Sequence, residues 1–323
     1  MERYPFAVRD QAYCVWGHDL SQRNGAFLRS IDPKFFQYLA ELHLPQLESE
    51  NTQRAAVALR AGYHHSLETL FSLLGALAQA PICAFAWIPK CSNRELRDLV
   101  DDISSARPVL TQVGRQPLTW VTLANIVHRH VWTDENGATA KRFGQLWGRL
   151  ATEFLDEYHI DEYNSIKHGF RISAGGFAVR VGSEHSYGVP PPESEMQSLG
   201  GTPHGMGFFK AESFPELGDA CRHHLWIRDA HLNWRAEGMV QAIQLISISI
   251  NNVLGALRIL NGTQPSTVRF ERPEDPSAYE APWQWPVGLK RGSFAFVIDP
   301  AEIKCVTRAS LVSELEGRSS GAA

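Results

Sequence analysis

The chain has 323 residues, 44% of them hydrophobic, enough to bury the core of one large domain or two smaller ones. A formal net charge of -4, with 20% of residues charged, sets aside the basic excess of most nucleic-acid binders, so any such contact must rest on a local patch. Five cysteines, an odd number without a C-x-x-C pair, point to free thiols in a reducing compartment and away from a disulfide framework or a zinc knuckle.

Residues 1–30 open on Met1-Glu2-Arg3-Tyr4-Pro5, without the apolar run of a signal peptide, and show no firm period, so no element is assigned there. A short helix is predicted from Pro33 to about Leu44, closed by Pro45. A stronger one starts near Asn51-Thr52 and runs to Gln79 before Pro81. Its apolar positions Tyr63, Leu67, Leu70, Leu74 and Leu77 alternate steps of three and four, which is one helix face. Gly62 and Gly75 weaken it by roughly 1 kcal/mol each relative to Ala, which the apolar face offsets.

Ser92 opens a helix through Ile103, with Glu95 in the capping-box position. Pro117 introduces another, through about Trp132. After a turn at Asp134-Glu135-Asn136-Gly137, the longest pattern sets Phe143, Leu146/Trp147, Leu150, Phe154 and Tyr158 on one stripe. It leads into Tyr163-Asn164-Ser165-Ile166-Lys167-His168-Gly169, where Gly169 is a stop signal.

Beyond Gly169 the texture changes. Phe170–Val181 alternates apolar and polar residues about Gly175-Gly176 and reads as a β-hairpin. Gly182 to Gly207, with Pro190-Pro191-Pro192, reads as a long loop, and Met206–Phe209 as a short strand. A long helix follows from about Ala236 to Leu260, with Ile243, Ile246, Ile250, Val253, Leu254 and Leu257 on one side and Asn261-Gly262 as its stop. Val268–Phe270 and Ser293–Ile298 read as strands, Thr307–Leu315 as a last helix, and the end of the chain as a disordered tail.

The expected class is mainly α: a helical bundle with a small β-insertion, α+β overall. Its expected parts are a bundle with an N-terminal extension (1–169), a hairpin and loop insertion (170–233), a long helix packing back with a small β element (234–315) and the tail (316–323). No stretch of about 18 uncharged apolar residues is found, so no membrane span is expected and the location is read as cytoplasmic.

If the helix through 143–168 is unbroken, Glu157, Asp161, Asn164 and His168 form one polar stripe at i, i+4, i+7 and i+11. A histidine at a helix C-terminus is stabilised in its charged form by the helix dipole, which suits an acid or a charge stabiliser. Such a stripe is also what a solvated helix face looks like. Asp161 could equally cap a new helix after a break near His159-Ile160.

Asn-Ser-Ile-Lys-His-Gly at a helix end resembles the active-site helix of the HEPN superfamily, prokaryotic proteins of toxin, defence and RNA-processing systems. Residue by residue, Asn164 matches that family's polar position and His168 its histidine, while Tyr163 stands where the family has an arginine. The resemblance, carried by about residues 51–169, implies an all-α bundle that dimerises to form a metal-independent ribonuclease site. On that reading Asn164, Lys167 and His168 are catalytic, Lys167 supplying a cation without the bidentate geometry of arginine. Glu157, Asp161, Tyr163, His64 and Glu68 are supporting residues, RNA and a second copy of the chain the partners. Neither metal nor other cofactor is called for.

Other groupings are candidates beside it. His64 and Glu68 are i, i+4 neighbours and could face the 157–168 stripe or hold half a metal site. Asp156-x-x-His159 is a carboxylate-x-x-His pair of the kind used in di-metal bundles, without a second such pair in the bundle. His128-Arg129-His130 near Trp132, and Arg222-His223-His224 near Trp226, are basic and aromatic enough for nucleic acid or can be ordinary surface and core. Walker A, G-x-G-x-x-G and G-x-S-x-G motifs are missing. The alternative to an RNA enzyme is a non-catalytic helical interaction or scaffold protein, in which the polar residues of 157–168 form a structural network.

Overall fold

The computed structural model describes residues 1–132, 137–214, 217–218, 221–294 and 299–320. The protein is α+β and mainly helical. In chain order the elements are β1 (Glu2–Val8), β2 (Gln11–Gly17), α1 (Leu20–Ser30), α2 (Phe35–His43), α3 (Thr52–Gln79), α4 (Ala84–Lys90) and α5 (Asn93–Ser104). Then come β3 (Pro108–Thr111), β4 (Gly114–Pro117), α6 (Trp120–His128), α7 (Ala138–Phe154), α8 (Glu157–Lys167), β5 (Ile172–Ala174), β6 (Ala178–Val181) and β7 (Gln197–Gly201). The series ends with β8 (Gly205–Ser213), β9 (Leu225–Asn233), α9 (Ala236–Leu260), β10 (Arg291–Phe294) and α10 (Arg308–Ser320). The chain divides into two units, 1–163 with 235–286 and 164–234 with 287–323.

The first unit is built on α3 and α9, which pack along each other. The apolar stripe expected of α3 is buried, from Tyr63 (2% exposed) to Leu77 (5%). So is that of α9: Ile246, Val253, Leu254 and Leu257 are fully enclosed. Helix α9 is long and apolar enough to cross a membrane by length and composition, and 67% of its most apolar window is buried within the protein. Around this pair lie α2, α5, α6 and α7. Gly75, read from sequence as a weak point of α3, has a packing reason: a Cβ there would meet Trp87 Cη2 at 2.4 Å, and Trp87 is fully buried. Helix α5 opens with the expected capping box, Ser92 Oγ accepting from Glu95 N–H and Glu95 Oε2 from Ser92 N–H.

Several elements had no assignment from sequence. Residues 1–30 hold a hairpin, β1 with β2, and the helix α1. The hairpin turn uses Arg9 at φ 52, held by Asp98 at 2.6 Å, Asp102 at 3.4 Å and a backbone bond to Gln79. A second hairpin, β3 with β4, contains Pro117, so the next helix begins at Trp120 behind the N-cap Thr119 and ends at His128. The turn expected at 134–136 lies outside the described residues.

In the second unit the order of the antiparallel sheet is β10-β9-β8-β5, and β6 pairs with β7. The hairpin expected over Phe170–Val181 is therefore corrected: β5 pairs with β8 and β6 with β7. The chain between them is held at Gly176, where a Cβ would lie 2.0 Å from the Thr202 carbonyl, and Phe177 N–H donates to Asn233 Oδ1 at 2.9 Å. The long loop expected at 182–207 contains β7 and the start of β8. Val268–Phe270 is extended but joins no sheet; its side chains pack against Gly255 of α9. Helix α10 continues past Leu315 to Ser320, where a disordered tail was expected, and residues 321–323 lie outside the described ones. Of the strand expected at Ser293–Ile298, residues 295–298 lie outside them as well.

The five free thiols expected from composition are also corrected. Cys221 and Cys305, 84 residues apart in sequence, form a disulfide with a Cα–Cα distance of 5.0 Å. Cys14, Cys83 and Cys91 are free.

Candidate functional site

The 143–168 stretch is two helices, because Asp156 breaks it. Its Oδ1 accepts the N–H groups of Tyr158 at 3.1 Å and His159 at 3.3 Å, starting α8 two residues after α7 ends. The break falls earlier than the His159-Ile160 position weighed from sequence, and Asp156, not Asp161, is the cap. It also gives Asp156 a local role in place of the metal pairing with His159 suggested by spacing. Glu157, Asp161 and Asn164 keep the spacing of one α8 face, and His168 follows the last helical residue, its N–H donating to the Asn164 carbonyl at 2.9 Å.

Asn164 is half-buried, while Lys167 and His168 are exposed. Gly169 and Phe170 both take left-handed backbone, φ 102 and 55, which turns the chain out of the helix. The Phe170 ring is 62% exposed and Arg171 is exposed beside it. Two basic side chains, a histidine and an uncovered aromatic ring thus occur within five residues.

The buried face of α8 carries a different set. His159, Glu162, Tyr163 and Ile166 recur at i, i+3, i+4 and i+7, and all are enclosed. Glu162 has no exposed surface, and its Oε2 accepts from Arg60 Nε at 2.9 Å, Arg60 Nη2 at 2.6 Å and His64 Nε2 at 2.9 Å. Burial alone would raise the Glu162 carboxyl, but the Arg60 charge and the His64 hydrogen bond outweigh it and hold the group far below the usual carboxylate range. His64 is pushed down, by burial first and then by the Arg60 charge, against the pull of Glu162. An ionised carboxylate can only accept, so neutral His64 carries its proton on Nε2 and its lone pair on Nδ1.

Two tyrosines extend the network. Tyr63 donates to Glu153, which also accepts from Trp283 Nε1 at 2.6 Å, and Tyr163 donates to Glu68. Burial, then Glu68, pushes the Tyr163 phenol far above its ordinary value, so it stays protonated. The Tyr163 ring stacks on His64 with centroids 5.0 Å apart and 15° between planes, and His159 meets His64 edge-on at 6.1 Å.

Beside this network lies a small cleft between α3, α5 and α8, with room for about one water. Its polar wall is His64, Glu68, Asn93, Arg97, His159 and Tyr163; Phe154 and Ile160 supply apolar surface. Of the residues expected to matter, His64, Glu68 and Tyr163 come together here. Asn164, Lys167 and His168 do not line it, and neither do Glu157 or Asp161.

Sequence reading missed Glu162 and the role of Arg60, although a signal existed. Arg60 continues the stripe of Tyr63, Leu67 and Leu70 back by three residues, so a charge sits on the face that must be buried. Among the described residues no group of three or more His, Cys, Asp and Glu side chains could hold a metal ion.

In the two basic and aromatic clusters one histidine each is held by the fold, while Arg129, His130, Arg222 and His223 are exposed. His128 is 2% exposed, stacked on Phe143 at 4.5 Å, with Arg272 over the neighbouring Trp132. His224 Nε2 accepts the Val306 N–H at 2.9 Å, next to the disulfide. Compared with family models, curated proteins and solved structures, the chain has no match in any of the three.

Proposed function

We propose that the protein is an RNA-directed, HEPN-like ribonuclease that works without a metal, in the cytoplasm, as part of a prokaryotic defence or toxin system. On this reading the helices of the first unit form a bundle, and two copies pair so that their α8 ends share one substrate. The observation that carries the reading is the exposed end of α8, where Lys167, His168, Phe170 and Arg171 follow one another on a backbone turned outward. Cations for phosphate and a free aromatic face for a base are what single-stranded RNA requires.

In the proposed reaction a ribose 2′-hydroxyl attacks the adjacent phosphorus and the 5′-oxygen leaves, giving a cyclic phosphate and a 5′-hydroxyl. His168 takes the proton from the 2′-hydroxyl and returns one to the leaving oxygen, while Lys167 offsets charge on the phosphoryl oxygens. Asn164 is a positioning residue, since its carbonyl fixes the His168 backbone. Cleavage of single-stranded RNA by the wild type is expected to fall at least about a hundredfold in His168→Ala, the lower end of what one acid–base group supplies. Equal rates for the two proteins would sink the enzymatic reading.

A second reading, a helical scaffold with a structural polar network, is favoured by one observation. Glu162 and Arg60 are 0% and 3% exposed and satisfy each other, which needs no substrate to explain it.

A further inference from the structure

We propose that two copies of the chain pair through the open edge of β8, antiparallel and centred on Ala211, joining their sheets into one. The pairing does not rest on the ribonuclease reading, and the variants that test it leave Asn164, Lys167 and His168 unchanged.

Strand β8 runs from Gly205 to Ser213, but β5 covers only Met206–Phe208 of it. Among the described residues, no strand pairs with Phe209–Ser213 on that side. Gly175 N–H donates to the Gly205 carbonyl at 3.0 Å, so the backbone groups of every second residue from Gly205 onward point toward that side. Those of Phe209, Ala211 and Ser213 therefore face a strand position that no described strand fills. An edge of this kind is a template for another strand, and this one carries neither a proline nor a bulge to turn a partner away.

The charges on the run select its own copy as the occupant. A two-fold pairing that uses all of Phe209–Ser213 centres on the middle residue, Ala211, and so lays Lys210 opposite the partner's Glu212 and Glu212 opposite the partner's Lys210. Registers centred one residue to either side set Lys210 or Glu212 against its own copy, and like charges directly opposite are destabilising. On the other face of the strands Phe209, Leu225 and Ile227 are 72%, 61% and 54% exposed, and the pairing of β8 with β9 gathers them around Ala211. The proposed register sets the Phe209 ring beside the partner's Ser213 and Ala211, small side chains that leave room for it. The ladder is short, so the dimer is reversible.

Sedimentation equilibrium of the full chain tests this. The wild type should show a reversible monomer–dimer equilibrium, and raising its concentration should slow amide hydrogen exchange at Phe209, Ala211 and Ser213. Lys210→Glu and Glu212→Lys should each weaken self-association at least about tenfold, since by symmetry each sets like charges opposite one another twice. Mixed in equal amounts, the two variants should form a heterodimer of near wild-type affinity, because each charged pair across the interface is then opposite in sign. Ala211→Pro removes an N–H that points away from β9, so it should abolish the dimer and keep the fold. Melting temperatures check the folding of all three variants, Glu212→Lys above all, because Glu212 also lies 2.8 Å from Arg228 in its own chain. A wild type that stays monomeric at high micromolar concentration overturns the proposal; single-stranded RNA or another protein's strand that then protects the same amides would be the occupant instead. A dimer that persists in Ala211→Pro, or that forms no better in the mixture than in either charge variant alone, is joined elsewhere, the α8 end included, and overturns it as well.

Discussion

Glu162 sits where a leucine would ordinarily go, on the enclosed face of a helix, and it stays there because Arg60 and His64 spend three donors on one oxygen. Removing one member of a buried pair strands the other charge, which typically costs about 3–5 kcal/mol, whereas replacing both by apolar residues of similar size is often neutral. Glu162→Gln is thus expected to lose stability in that range by urea denaturation, and Arg60→Met with Glu162→Leu to recover most of it. A double variant as unstable as the single one would show that the ion pair is not what holds α8 to α3. The same residues set a pH dependence. The His64 pKa is lower in the fold than its ordinary 6.5, so the unfolded chain gains a proton there that the native state refuses, and stability falls as pH drops below that value. The Glu162 pKa is lower in the fold than its ordinary 4.5, so a second loss begins below 4.5 and grows toward the folded value. Melting temperature should therefore decline in two steps on acidification, and His64→Gln should remove the upper one.

At the scale of elements, α3 and α9 were legible because each buries a continuous stripe and little else decides their boundaries. The place of the α7–α8 break was not, because Phe154 and Tyr158 keep the apolar period running across it. What separates the two helices is a single side chain accepting backbone donors, and Asp156→Ala should cost about 1 kcal/mol, the usual worth of an N-cap. Chemical denaturation would measure it, and an unchanged midpoint would show that packing alone places the break. The small sheets were hidden for a different reason. The β5–β8 and β6–β7 pairings join segments separated by loops, so local alternation around Gly175-Gly176 pointed to the wrong partner. In the β1–β2 hairpin the left-handed turn position is Arg9 and not a glycine, and tertiary ion pairs hold it there. The candidate site divides likewise. His64, Glu68 and Tyr163 could be named from helical spacing, but Arg97 joins them only because α5 packs beside α3.

Over the whole molecule, the number and spacing of the cysteines suggest reduced thiols, and distance in sequence conceals the pair that meets. Cys221 lies just before β9 and Cys305 just before α10, so their bond joins two residues of the second unit and closes a long loop of chain that includes residues 235–286 of the first. In the chain-entropy account, a loop of that length gives a disulfide about 4–5 kcal/mol of stabilisation of the folded state, acting mainly on the unfolded chain. Helix α10 is largely exposed, and His224 contacts Val306 in the segment between the bonded Cys305 and that helix. Titration of thiols in the denatured chain, purified without reductant, should find three per molecule, rising to five after reduction. Reduction should also increase proteolysis near 299–320 while leaving the first unit's fragments intact, since that unit contains none of the bonded sulfurs. Five thiols before reduction would instead return the chain to the all-reduced state that its composition suggested, and would favour the cytoplasmic setting of the proposed ribonuclease.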